Sequence, residues 1–179
     1  FPLRCFSEGA TGRSSCRPEL RKTMSYRPRV CLDSSVVVKW FKVEEESAEA
    51  LKIRRWAEEG RIKLIISAIV LSESARALKK TGCDKEEIYE ILDLFDAFIS
   101  LCGVDVVPVE LLIIKSAQSL VIEHNLYSAD AIHVATATLT ESDFFVSIDE
   151  HHFKESLKSH LEKKNVWPLK LSNVGKILV

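Results

Sequence analysis

The chain has 179 residues, enough for one domain around a single core, and its 25 Lys and Arg balance 26 Asp and Glu. Balanced charge excludes a partner captured by gross electrostatics, so any nucleic-acid surface must be a local patch. Apolar residues make up 46% with only six Gly and five Pro, which excludes a disordered or collagen-like chain. No apolar run approaches the roughly 18 residues that span a bilayer, and no secretory signal pattern is visible, so a cytoplasmic location with no membrane partner is expected. The five cysteines (Cys5, Cys16, Cys31, Cys83, Cys102) form no C-x-x-C pair and are odd in number. They read as reduced thiols, neither a zinc site nor a disulfide framework.

In chain order, residues 1–23 lack helical or strand period and mix Gly, Ser, Arg and Pro. Met24 is the only methionine, so 1–23 reads as an artificial or disordered extension and 24–179 as the domain. Val30 to Leu32 is a short apolar run, expected as a buried strand over 29–33, and Asp33-Ser34-Ser35 follows it directly. Helical turns are expected over 36–42 and a helix over 48–59, with Leu51, Ile53, Trp56 and Ala57 as its apolar residues and Gly60 as its stop. Residues 63–67 read as a second buried strand and 69–80 as a helix. Residues 85–101 form a long amphipathic pattern in which Ile88, Ile91, Leu92, Phe95, Phe98 and Ile99 recur at three- and four-residue steps. A short strand over 104–108 precedes a helix over 110–124, with Asn125 as a left-handed cap. Ser128 is expected to cap an apolar helix over 129–139. A fourth buried strand over 144–148 ends at Asp149, a polar helix follows over 151–164, and 166–171 closes the sheet.

Strands alternating with helices mean βαβ units. The expected fold class is α/β: a single-domain, three-layer sandwich around a mainly parallel sheet of four to five strands.

Four carboxylates fall where strand or helix ends would aim them at one face: Asp33, Glu73, Asp130 and Asp149. Each has a bland alternative. Asp33 sits equally well as a helix cap, Asp130 as a dipole complement, Glu73 as a solvated helix residue and Asp149 as a turn former. Taken singly, none decides.

Their order and surroundings do more. An apolar strand ending in Asp33-Ser34-Ser35, a helix with Ser72-Glu73-x-x-Arg76-Ala77-Leu78, the run Ser128-x-Asp130-Ala131-Ile132-His133-Val134-Ala135, and a strand ending in Ser147-Ile148-Asp149-Glu150-x-x-Phe153 together resemble the PIN-domain nucleases. The likeness covers 29 to about 155. It implies a PIN-like fold, divalent metal (Mg²⁺ or Mn²⁺) held by Asp33, Glu73, Asp130 and Asp149, and cleavage of RNA. It also implies the toxin of a toxin–antitoxin pair, hence an antitoxin partner, and a homodimer. The fourth acid varies across the family, and here Glu150 stands beside Asp149 as a possible substitute. Housekeeping RNA processing and an inactive interaction module on the same fold are the alternatives.

The chemistry stands beside the likeness. An all-oxygen carboxylate cluster selects Mg²⁺ or Mn²⁺ over zinc, and such ions activate water and hold a phosphate for in-line displacement. Ser34 and Ser35 could bond the ligands or cap the helix. His133, one turn after Asp130 on the same face, would touch the site or orient a carboxylate, but reads rather as a satisfied core histidine; His151 and His152 read as supporting or surface residues. Lys39, Lys42, Arg76, Lys79 and Lys80 are basic residues near enough to meet phosphates. A haloacid-dehalogenase-type phosphatase is rejected because its second Asp is replaced by Ser35. A receiver-type phosphoacceptor is rejected because Arg29 to Leu32 holds no acid.

Overall fold

The strand that opens the fold, β1 (Arg29–Leu32), alternates its side chains between two apolar layers, and both are dry. Val30 and Leu32 join one buried cluster and Cys31 joins another. The computed structural model describes residues 26–41 and 43–178. The expectations for residues 1–23, for Met24 as the start and for Lys42 lie outside the described residues.

Four further strands complete one sheet: β2 (Lys63–Ser67), β3 (Asp105–Val107), β4 (Phe144–Ser147) and β5 (Trp167–Lys170). Their order is β3-β2-β1-β4-β5 and every pairing is parallel. All-parallel sheets need cover on both faces, which is why these strands read as unbroken apolar runs. The strand interiors share β1's division: Leu64, Ile66, Phe144 and Val146 face one layer, Ile65 and Phe145 the other.

The first layer is built by α1 (Ser34–Val38), α2 (Ser47–Glu58), α3 (Ile69–Lys79), α4 (Lys85–Cys102) and a short terminal α8 (Val174–Ile177). Val36, Val37, Ile53, Val70, Phe95, Phe98 and Val174 bury their side chains there. Trp40 stands edge-on to Phe95 and Phe98 with ring centroids 6.0 and 5.2 Å away, and its indole N–H donates to the Ala50 carbonyl. The opposite layer is α5 (Leu111–His124), α6 (Ser128–Leu139) and α7 (Glu155–Lys163). Residues Ala131 to Ala137 of α6 are all buried, as its apolar surround predicts for a central helix. The three-layer α/β sandwich is thus as expected.

Several local expectations need correction. Ser128 is the first residue of α6 and does not cap it; Tyr127 holds the cap position without a side-chain bond. The polar helix expected over 151–164 is two pieces. A 3₁₀ turn spans Glu150–Phe153, Lys154 is extended, and α7 starts only at Glu155. The cause is local: Asp149 caps the turn by accepting from the His151 N–H, and the turn drives His152 into the interior. The short α8 was not anticipated. The stops hold, with Gly60 and Asn125 at positive φ of 66° and 54° where left-handed backbone ends a helix.

Candidate functional site

The chain runs outward from β1 to β2 and β3, then returns to place β4 on the other side of β1. Parallel sheets open a crevice at such a reversal, beyond the carboxyl ends of the two strands. Asp33 leaves the end of β1, and its backbone N–H continues the ladder by donating to the Val146 carbonyl at 3.0 Å. Asp149 lies two residues beyond β4. The first turn of α6 brings Asp130, and α3 brings Glu73 one turn from its start.

Asp33 occupies the cap position of α1 yet makes no side-chain cap bond. Its carboxylate is spent elsewhere. Only 3% of the residue is exposed, and burying a carboxylate is costly unless donors surround it. The hydroxyls of Ser35 and Ser147 donate to Oδ2 at 2.5 and 2.9 Å. Oδ1 takes no such bond and faces His133 Nε2 at 3.5 Å. The two hydroxyls therefore fix the carboxylate's rotation and leave one oxygen aimed at the other acids.

Ser147 is a hub that sequence reasoning gave no role. Its hydroxyl donates to Asp33, sits 2.8 Å from His152 Nδ1 and accepts the Asp149 backbone N–H at 3.0 Å. With its single proton given to Asp33, the hydroxyl must accept from His152, which places a proton on Nδ1. The available signal was a fully buried polar residue at the end of an otherwise apolar strand.

His133 is 1% exposed and bridges two acids: Nε2 lies 2.8 Å from Glu73 Oε2 and 3.5 Å from Asp33 Oδ1. Burial alone would push its pKa down. The Glu73 hydrogen bond and the charges of Asp33, Glu73 and Asp130 outweigh that and hold it above the usual histidine value. Asp130 is half-buried, and burial is the main reason its pKa is raised; Asp33 and Asp149 push the same way, while His152 and His133 oppose. The four predicted acids are thus brought to one crevice, Glu73 through the imidazole of His133. Both readings of His133 hold, since it is buried and aimed at the carboxylates.

The expectation for Lys39 fails on geometry. Lys39 does not point to a phosphate site: it is buried, and its ammonium binds the Glu45 carbonyl at 2.7 Å and Glu44 at 3.3 Å, pinning the α1–α2 loop. Glu150 is no substitute ligand, because it pairs with Lys170 at 2.5 Å on the exterior. Ser35 serves the Asp33 carboxylate instead of a helix terminus. His151 is exposed and edge-on to Tyr127, while Arg76, Lys79 and Lys80 are exposed on α3 and its end.

The donor set suits a hard divalent cation. Asp33 Oδ1 lacks a hydroxyl donor, and Asp130, Asp149 and Glu73 offer oxygen only, which favours Mg²⁺ or Mn²⁺. The acids stand wider than a closed shell, no three of these donors lying mutually within 4.8 Å, and the imidazole of His133 lies between two of them.

A PIN-domain family model matches residues 30–156. The chain belongs to the PIN-domain family. PIN domains are in general nucleases that use divalent metal, and the matched span contains all four acids. No curated protein matches the sequence. Solved structures share the fold, among them the following two. A toxin–antitoxin complex from Klebsiella pneumoniae is 20% identical with a TM-score of 0.51, over 71% of this chain and 91% of that one. FitAcB from Neisseria gonorrhoeae is 16% identical with a TM-score of 0.53, over 80% of this chain and 98% of that one. Among the described residues, no helix of this PIN domain is long and apolar enough to cross a membrane.

Proposed function

We propose that this PIN domain is a Mg²⁺- or Mn²⁺-dependent endoribonuclease, acting in the cytoplasm as the toxin of a toxin–antitoxin pair. The observation that carries the reading is the convergence of Asp33, Asp130 and Asp149 at the β1–β4 crevice, with Glu73 joined through His133. Asp33, Glu73, Asp130 and Asp149 would hold the metal, which supplies water activation and charge neutralisation at a phosphodiester. The protein's own part is positional. Ser35 and Ser147 lock the rotation of Asp33, and Ser147 ties the Asp149 backbone and His152 to the same hydroxyl. His133 balances charge between Glu73 and Asp33 and keeps both from turning away.

The antitoxin partner rests on the two structural neighbours, one of which is described as a toxin–antitoxin complex. Homodimerisation is part of the same reading. Positively charged side chains from an antitoxin would pair with the carboxylates by charge-assisted hydrogen bonds and displace metal.

The test is cleavage of single-stranded RNA in Mn²⁺ against chelator, with Asp33→Asn and Asp130→Asn beside the parent. Each variant is expected to lower the rate on the order of 100-fold, about 2.7 kcal/mol of barrier. Each should also lose most of the rise in melting temperature that Mn²⁺ gives, since binding to the native state stabilises by mass action. Cleavage unaffected by chelator and by both variants would leave only an interaction module. Co-purification with the product of the neighbouring gene separates toxin from housekeeping enzyme: full cleavage inside a stable complex excludes inhibition by that partner.

A further inference from the structure

We infer that the α5–α7 flank carries a second metal site, made of Glu123, His124 and His160 and selective for Zn²⁺-class ions. The ligand atoms of these three residues lie within 4.8 Å of one another. None of the four acids belongs to the set, and the two helices concerned carry none of them.

The geometry follows from how α5 ends. Glu123 and His124 are consecutive, and neighbouring helix positions diverge by about 100° around the axis. Asn125 stops the helix in left-handed backbone directly after them, and side chains of α7 meet this last turn. On α7, Leu157 and Leu161 turn into the core. Ser156 and His160 lie four residues apart on one face, and both meet His124. Ser156 Oγ is 3.4 Å from His124 Nδ1, and the two imidazoles stand edge-on with centroids 5.1 Å apart.

The decisive feature is His124 Nε2, which is buried without a hydrogen-bond partner. Nδ1 faces the Ser156 hydroxyl at 3.4 Å, and with the proton on Nδ1 the lone pair lies on Nε2, as an oriented metal-binding imidazole requires. Two imidazoles and one carboxylate form the ligand set of a zinc site that keeps a fourth position for water. Mg²⁺ prefers oxygen throughout and does not compete here. This ligand set is softer than the all-oxygen acids of the crevice. An ion here would tie α5, which leads into the helix bearing Asp130, to α7, which follows the turn at Asp149. It stands or falls independently of the nuclease reading.

The experiment is calorimetric titration of metal-stripped full-length protein with Zn²⁺, backed by Co²⁺ absorption as a reporter of tetrahedral nitrogen and oxygen ligands. One equivalent should bind the parent and Asp130→Asn alike. His160→Gln and His124→Gln should each weaken Zn²⁺ at least about tenfold and abolish the Co²⁺ bands, while Mn²⁺ stabilisation stays intact. Glu123→Gln, at an exposed position with no packing to lose, should weaken Zn²⁺ without altering the fold. Zn²⁺ affinity unchanged in all three variants, or lost in Asp130→Asn instead, would overturn the site.

Discussion

In the metal-free protein, Glu73, Asp33 and Asp130 all favour a proton on the imidazole of His133. Its folded-state pKa lies above the unfolded value of about 6.5. The resulting stability is therefore present in full below that pH and is lost as pH rises through the folded value. Asp130 works in the same direction lower down: its pKa is raised by burial, so the native state holds that proton longer than the unfolded chain does. In chelator, stability should thus fall as pH climbs above about 6.5, by at most about 1.4 kcal/mol per pH unit for one proton. His133→Asn should flatten that slope, and denaturant melts of both proteins from weakly acid to weakly basic pH would show it. An equal slope in the variant would mean that another group controls it. Asp33 and Asp130 were legible because carboxylates at strand and helix ends are visible in one dimension. Ser147 was not, because its partner Asp33 lies 114 residues away. Lys39 misled because a lysine near an acid cluster looks like a phosphate ligand until the loop that buries it is seen.

Among the elements, α4 gives the cleanest test of local rules. Asp84 accepts from the Glu87 N–H at 2.8 Å while Glu87 accepts from the Asp84 N–H at 3.1 Å, a reciprocal capping box. Asp84→Ala should cost about 1 kcal/mol, a fall of about 2–4 °C in melting temperature for a domain of this size. RNA cleavage should not change, since α4 carries none of the acids; an activity loss matching that of Asp33→Asn would contradict the placement of the site. Elements with a strong period, such as α4 and the apolar strands, were legible because one buried face imposes it. The break between the Glu150–Phe153 turn and α7 was not, because it depends on burying His152 behind Ser147. The short α8 has only four residues to show a pattern.

For the whole molecule, the boundary near Met24 has a direct test. Tyr26 donates its hydroxyl proton to Asp143, and the Arg29 N–H donates to the same carboxylate at 2.7 Å, so the chain is anchored to the fold by these residues. We propose that the domain begins there: a chain starting at Met24 should match the parent within about 0.5 kcal/mol and cleave RNA equally, and a larger loss in thermal melts would place structure upstream. The α/β class was readable from alternation alone. The strand order was not, because periodicity says which residues are buried and nothing about which strand lies beside which. That order has a consequence for synthesis. When the ribosome has delivered Asp33 and Glu73, β1 still has one open flank, and the crevice has no second wall until Phe144–Ser147 docks against it. Asp33 and Asp149 are 116 positions apart, 149 less 33, roughly 6–23 s at ordinary elongation speeds of about 5–20 residues per second. On the nuclease reading, a nascent chain is harmless for that interval, and one that stalls before β4 never becomes dangerous to the messenger that encodes it.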